Sequence, residues 1–395
     1  MNPNATAADR IAGTEPVWTG MAPLAEVLAS SADGEKVLLH AGPPYASRDE
    51  VPQPVLNSAL QAIIFEGWAA DLAEAAVIFA SGQVSMAAAQ DHGCLVPLAG
   101  IISPSMQLHV IEDPKTGRVQ HAVLNEGMRN CLRVGMLEPG LVEHQRWLHG
   151  PFARWLSDRL TTGGAIGLLQ PLEHALRAGD DGHSRTIEGS RLVSAILLAG
   201  DSCAFRPEAE AFLADSTPFA LNLWMAAAAL SLAAAEGIEG SDAVVRVGGN
   251  GVEFGFQVAA EPGHWFTVPS TPPRGPLVEA YRGLSVLGAI GDSAVVDFFG
   301  LGGAALRHAP LTLEALADFA TDGLLERPER VMEREHPRLP TRTGASASRI
   351  ARAGEAPAVL LGMIEGQGLE GRIGGGIFEP PVDAFRRASA RHHPA

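Results

Sequence analysis

Cysteine is scarce in this chain: Cys94, Cys131 and Cys203 are the only three. Their odd number and unpaired spacing give neither a disulfide framework nor a cysteine-based zinc site, and a reducing, cytoplasmic setting is expected. Positive charge is also short, with 29 Lys and Arg against 45 Asp and Glu, a formal net charge of −16. Nucleic-acid binding depends on basic residues that neutralise phosphates, so that partner class is set aside. Aromatics make up 6% of the residues while Ala and Gly are abundant, which implies a core closed by small side chains. The segment Met1–Asp9 has no basic stretch followed by an apolar run, so no signal peptide is read there. No Gly-Lys-Ser/Thr follows any glycine cluster and no H-x-x-x-H pair lies on a predicted helix. A Walker phosphate loop and a helical metal site are thus both missing, and no cofactor is expected. No repeat period marks a solenoid.

What remains is the composition of a globular protein, 46% hydrophobic and 19% charged over 395 residues, enough for two or three domains. The one long uncharged run, Phe219–Ala235, is mostly Ala, includes Asn222 and Ser231, and is flanked by Asp215 and Glu236 rather than basic anchors. It reads as a buried core helix, and no membrane is a partner.

The pattern along the chain predicts an α+β protein of three parts: a mixed α/β N-terminal domain (1–135), a helical middle (136–240) and a Gly-rich α/β C-terminal part (241–395). Residues 1–20 read as a loose arm, compatible with lying on a neighbouring subunit, so a homo-oligomer is expected. Lys36–His40 reads as a short buried strand, followed by helices near Pro54–Phe65 and Trp68–Phe79. Asp113–Gly117 reads as the turn of a hairpin between Leu108–Glu112 and Val119–Leu124. Helices follow near 165–177, 187–198, 207–214 and 219–236. Ala243–Val247 and Val252–Val258 flank Gly248-Gly249-Asn250-Gly251, the strongest hairpin signal in the chain. His264–Val268 is a third strand, 311–322 a helix, 327–356 a connecting segment, and Ala358–Ile364 a strand before the loop Gly371–Gly376.

Several segments carry candidate chemistry. In Gly179-Asp180-Asp181-Gly182-His183-Ser184-Arg185, His183 is placed to move a proton, Asp181 or Asp180 to orient it, and Arg185 to clamp a carboxylate. The competing reading is a polar helix cap with a surface arginine. Asp292, in Gly291-Asp292-Ser293 with Asp297 following, is either an acid/base group or an Asx-turn residue. Asn125 and Glu126 follow a strand, where an acid can face a cleft, or they simply shape a turn. The clusters around Gly302 and Gly375 can offer backbone amides to an anion or serve close packing. Cys94 beside Asp91 and His92 reads as a buried thiol rather than a nucleophile.

Taken in order, His40–Pro44, Phe65–Ala69, Leu124–Gly127, Gly179–Asp181 with His183 and Arg185, Phe219–Leu223, Trp265–Thr267, Gly291–Ala294, Gly300–Ala305 and Ile373–Gly376 resemble the YlbE-like family, domain of unknown function 1116. The resemblance runs from about residue 36 to 390. It implies a relation to a subunit of oxamate carbamoyltransferase, an activity that splits oxalurate with phosphate and requires other subunits. Where that family commonly has Gly-Ile-Ala-His-Lys, this chain has Gly362-Met363-Ile364-Glu365-Gly366.

The expected function is therefore cleavage or transfer of a carbamoyl or amide C–N group of a small ureido or amide-bearing acid, with phosphate as a second candidate ligand. The alternative is a ligand-binding or partly catalytic subunit of a larger complex, inactive alone. His183, Asp181 and Asp292 are the expected catalytic groups. Arg185, Asn125, Glu126, Asn222, Gly302 and Gly375 are the expected binding groups, with no metal.

Overall fold

The computed structural model describes residues 2–28 and 36–393. Its centre is the helix Phe219–Ala233, in which every residue but Leu221 is buried. An Ala-rich helix that is apolar on all sides can only be stable when covered on all sides. One flank packs on the strands Gln107–Asp113 and Arg118–Val123, the other on the short helix Ala294–Phe299. Among the described residues no single helix is long and apolar enough to cross a membrane.

The mixed α/β architecture is distributed over several small sheets. A five-stranded sheet has the order Cys94–Leu95, Arg118–Val123, Gln107–Asp113, Val17–Pro23, Ile166–Gly167. A three-stranded sheet places Val37–His40 between Ser85–Ala88, parallel to it, and Ile101–Ile102. The four-stranded sheet runs Phe266–Pro269, Glu253–Val258, Val244–Asn250, Ile290–Gly291. Here the predicted hairpin is present, with Phe254 opposite Gly249 and Phe256 opposite Val247. Both predicted helices at 187–198 and 219–236 form, the former as Ile187–Leu198. The Gln107–Asp113 and Arg118–Val123 hairpin also forms as read.

Three local expectations are corrected. Residues 1–20 are not a loose arm. Asn2 caps the helix Pro3–Gly13, whose Ala7, Ala8, Ile11 and Ala12 are buried, and Trp18 is fully buried in an inner strand of the five-stranded sheet. Asn4 ties this helix to the C-terminal half through Asp242 (2.6 Å) and Ser241 (2.8 Å). The segment 327–356 is not a bare connection. It holds the helix Arg327–Val331, the paired strands Met332–Glu335 and Arg342–Ala345, and the helix Ala347–Ala353 capped by Ser346.

The third correction concerns Gly374-Gly375-Gly376, which are not a loop. They lie in the strand Arg372–Phe378, paired antiparallel with Val359–Ile364. The chain from Arg274 to Val278 runs antiparallel against this strand, bonded to it at Ile373 and Ile377, and a Cβ at Gly376 would stand 2.4 Å from the Arg274 carbonyl oxygen. The glycines therefore exist so that two backbones can touch. Arg372, at the start of the strand, lies on the wall of the central cleft.

Candidate functional site

The cleft is a 600 Å³ cavity where the N-terminus of the central helix meets three other segments: the loop 125–138, the turn at His183 and the strands near Gly362 and Arg372. Its wall includes Asn125, Arg133, His183, Asn222, Ser293 and Arg372.

His183 is set by the chain on both sides of it. Asp181 turns back and its carboxylate accepts the backbone N–H groups of His183 (2.7 Å), Ser184 (2.7 Å) and Arg185, and the hydroxyl of Thr312 (2.8 Å). Those bonds consume Asp181, which shapes the turn but does not reach the imidazole; on this point the expectation is corrected. The carboxylate on His183 is Asp297, 114 residues away, with Oδ2 2.7 Å from Nδ1. Asp297 Oδ1 accepts the amides of Gly303 (2.9 Å) and Leu360 (3.2 Å), so the carboxylate is fixed at both oxygens. Burial raises the Asp297 pKa, while the charge and hydrogen bond of His183 and the two amides pull it down. If ionised, Asp297 can only accept, so the bond to Nδ1 calls for a proton there and places the lone pair of an uncharged ring on Nε2. Nε2 has no hydrogen-bond partner among the described residues, and the side chain lines the cleft.

Gly302 serves this pair by absence. It has φ +53°, and a Cβ there would sit 2.1 Å from Asp297 Oδ1 and 3.0 Å from the His183 Cβ. Its own amide is donated to the Asp181 carbonyl (2.7 Å). The Gly302 N–H is thus not open to a ligand, and the expectation of an anion nest there is corrected. The same holds for Gly375, whose amide is donated to the Pro276 carbonyl, although the residue lines a hollow beside the cleft.

Asp292 is buried completely and does not face the cleft as a proton donor or acceptor. Its carboxylate accepts Gly42 N–H (2.9 Å), the Gln90 amide (2.6 Å) and Val96 N–H (3.0 Å), joining three segments of the N-terminal half to the start of helix Ala294–Phe299. Burial pushes its pKa up to about 7 against the pull of these donors. The next residue, Ser293, does line the cleft. Glu126 likewise turns inward: it accepts Leu132 N–H (2.8 Å), Gln145 (2.8 Å) and Arg133 N–H (3.0 Å), and pairs with the Arg133 guanidinium at 3.3 Å. It holds the arginine in place rather than facing a ligand.

Asn125 and Asn222 form part of the wall and bond each other at 2.9 Å. Asn222 also donates to the Val123 carbonyl and Asn125 to the Pro218 carbonyl, so the pair clips the strand end to the central helix. Arg185 faces the neighbouring hollow, with Nε 3.6 Å from Asp180 Oδ1. Of the residues expected from sequence, then, His183, Asn125 and Asn222 meet in one cavity and Arg185 and Gly375 in the adjoining one.

Three residues of the site have no role in the sequence reading, which does not single out Arg133 at all. Asp297 was noted only as following Asp292, and Arg372 only as part of a glycine loop. Arg372 borders both cavities, donates from Nε to the Gly374 carbonyl (3.1 Å), and has no acidic partner among the described residues. Partial desolvation by the surrounding cleft and the nearby Arg133 hold its pKa below the ordinary arginine value. Cys94 and Cys131 have thiols pushed up to about 12, in both cases by burial first, which makes them poor nucleophiles. Among the described residues no group of three His, Cys, Asp or Glu side chains is gathered as a metal would require.

A family model described as oxamate carbamoyltransferase subunit AllG matches residues 84–293. The chain is 30% identical to the uncharacterized protein YahG of Escherichia coli K12, covering 98% of this chain and 84% of that protein. It is 28% identical to the oxamate carbamoyltransferase subunit AllG of the same organism, covering 98% and 96% respectively. A crystal structure of a conserved protein of unknown function from Enterococcus faecalis V583 superposes with a TM-score of 0.90 at 26% identity, over 99% of this chain and 96% of that one.

Proposed function

Since the chain belongs to the AllG family of oxamate carbamoyltransferase subunits, we propose that its cleft carries out carbamoyl or amide C–N transfer on a small ureido or amide-bearing acid. The observation that carries this reading is the Asp297–His183 pair, with Nε2 of His183 free at the edge of a cavity that also holds Arg133 and Arg372.

In the proposed reaction the ureido acid lies with its carboxylate toward the guanidinium groups and its carbonyl carbon near His183. A hydrogen phosphate oxygen forms a bond to that carbon as the C–N bond breaks. His183 Nε2 takes the proton from the phosphate and delivers it to the departing amide nitrogen, so the products are a carbamoyl phosphate and the free amide acid. The transient imidazolium is stabilised by Asp297 behind it, the role a buried carboxylate plays for a histidine that shuttles protons. Arg133 and Arg372 favour the oxyanion charge of both reactants.

A second reading has its own support. The E. coli relative is named as a subunit, and Glu365 stands where the family commonly has a histidine. Glu365 is buried and caps a turn through Gln367 N–H (2.7 Å) and Leu369 N–H (2.9 Å), adding no cation to the cleft. In that reading the chain binds the acid and completes its chemistry only within an assembly. Carbamoyl transfer from oxalurate to phosphate, measured with the lone chain and then with candidate partner subunits added, separates the two. In either setting His183→Ala is expected to lower turnover by about 10²–10⁴-fold; unchanged turnover in a folded variant removes the reading.

A further inference from the structure

Arg372 stands between two hollows, and this position carries a consequence for how many anions the site holds. On one side is the His183 cleft of 600 Å³, where Arg133 is the other cation that lies close enough to Arg372 to depress its pKa. On the other is a hollow of 350 Å³ lined by Ser184, Arg185, Thr186, Thr217, Gly375 and Gly376 among others, with Arg372 again on its wall. Met128, Ser184 and Pro218 border both spaces, so the two are adjoining compartments of one depression.

The donors left over in the second compartment are of one kind. Arg185 engages Asp180 only through Nε at 3.6 Å, and its terminal nitrogens make no hydrogen bond among the described residues. The terminal nitrogens of Arg372 are equally unengaged, since only its Nε is used. The Ser184 hydroxyl is likewise free, because Asp181 binds the Ser184 backbone and not its side chain. Asp180 lies behind Arg185 at its Nε and is not among the residues that line the hollow. Two open guanidinium forks and a hydroxyl, with no Asp or Glu among the described residues lining this hollow, are the donor set that recognises a carboxylate or phosphate oxyanion; the one acid on the wall of the His183 cleft is Glu138. In a chain of net charge −16, such a cluster is not a product of overall composition.

We propose that the depression holds two oxyanions at once, one between Arg133 and Arg372 beside His183 and one between Arg185 and Arg372 in the adjoining hollow, with Arg372 shared. This rests on the C–N transfer reading above, which calls for two anionic reactants, and it assigns each a compartment. The compartment beside His183 takes the group that undergoes chemistry, and the Arg185 compartment takes the oxyanion that does not face Nε2.

The test is titration calorimetry on the full-length chain with oxamate, with inorganic phosphate, and with each in the presence of saturating amounts of the other. Binding of each anion to the protein already saturated with the other is expected. Arg185→Gln is expected to weaken one of the two anions by about tenfold or more and leave the other within about threefold, identifying which of them occupies the outer compartment. Arg372→Gln is expected to weaken both, and Arg372→Lys to restore part of the loss; matched thermal melts show that these variants are folded. Strict competition between the two anions overturns the proposal, as does an Arg185→Gln variant that weakens neither or both equally. If the anions compete while carbamoyl transfer still proceeds, only this inference fails. If a ternary complex forms while reconstituted protein shows no transfer, only the functional reading fails.

Discussion

Asp292 and Asp297 flank the first turn of the same short helix, and both are fully buried, yet they belong to different worlds. Asp292 is gripped by Gly42, Val96 and Gln90, three donors from the N-terminal half, and no titratable side chain among the described residues bonds to it. Asp297 is gripped by two amides on one oxygen and by His183 on the other, and the far nitrogen of that histidine opens on the cleft. Burial raises the pKa of each. What separates a structural clasp from a reactive pair is therefore the partner and what that partner faces; the depth of the carboxylate and its shift do not distinguish them.

Variants can break this contrast. The largest effect is expected at the reactive end: His183→Gln removes the shuttle and lowers turnover by about 10²–10⁴-fold, whereas Asp292→Asn changes it far less, as read by initial rates of carbamoyl transfer. Next comes the clasp. Asp292→Ala orphans three buried donors and is expected to cost about 3 kcal/mol in urea unfolding, with Asp292→Asn recovering a large part because its amide oxygen can still accept. Gly376→Ala would drive a methyl against the Arg274 carbonyl and is expected to cost about 1–3 kcal/mol in the same measurement.

Taken per pH unit, the pH dependence of the clasp is smaller than the loss expected for Asp292→Ala. The folded Asp292 holds its proton up to about pH 7, whereas an unfolded aspartate releases it near pH 4. Between these values the native state binds more protons, so stability falls as pH rises, by up to about 1.4 kcal/mol per unit, and the loss is complete above pH 7. The wild-type stability is expected to show this slope relative to Asp292→Asn, which cannot titrate; identical pH curves would place the carboxylate pKa elsewhere. The smallest effect concerns the thiols. Cys94 and Cys131 are buried and Cys203 is exposed, so an alkylating reagent is expected to label Cys203 alone and leave turnover intact.

Legibility in the sequence followed the range of each interaction. The hairpin around Gly248–Gly251, the helix Ile187–Leu198 and the all-apolar helix at Phe219 depend on neighbouring residues, and each was visible. The turn that presents His183 was visible too, because Asp181 acts on amides two to four residues away. The partner of His183 was not, since its bond to Asp297 links segments 114 residues apart. For Gly374–Gly376 the sequence leaves anion binding and close packing both open, because glycines that free a turn and glycines that admit a second backbone look alike until that backbone is known. At the N-terminus, Asn2-Pro3 followed by Ala7, Ala8, Ile11 and Ala12 is a helix signal with a capping residue and an apolar stripe.

The claim at the centre is that Asp297 keeps the proton on Nδ1 of His183 while Nε2 meets the ligand. Long-range ¹H–¹⁵N NMR on histidine-labelled protein, with His183→Gln used to assign its signals, reads both nitrogens directly. The account predicts an Nδ1–H form of neutral His183 whose Nε2 resonance moves when oxamate and phosphate are added, with the Nδ1 preference lost in Asp297→Asn. A proton resident on Nε2 of the neutral ring, or an Nε2 resonance that stays fixed while calorimetry shows both anions bound, would contradict it.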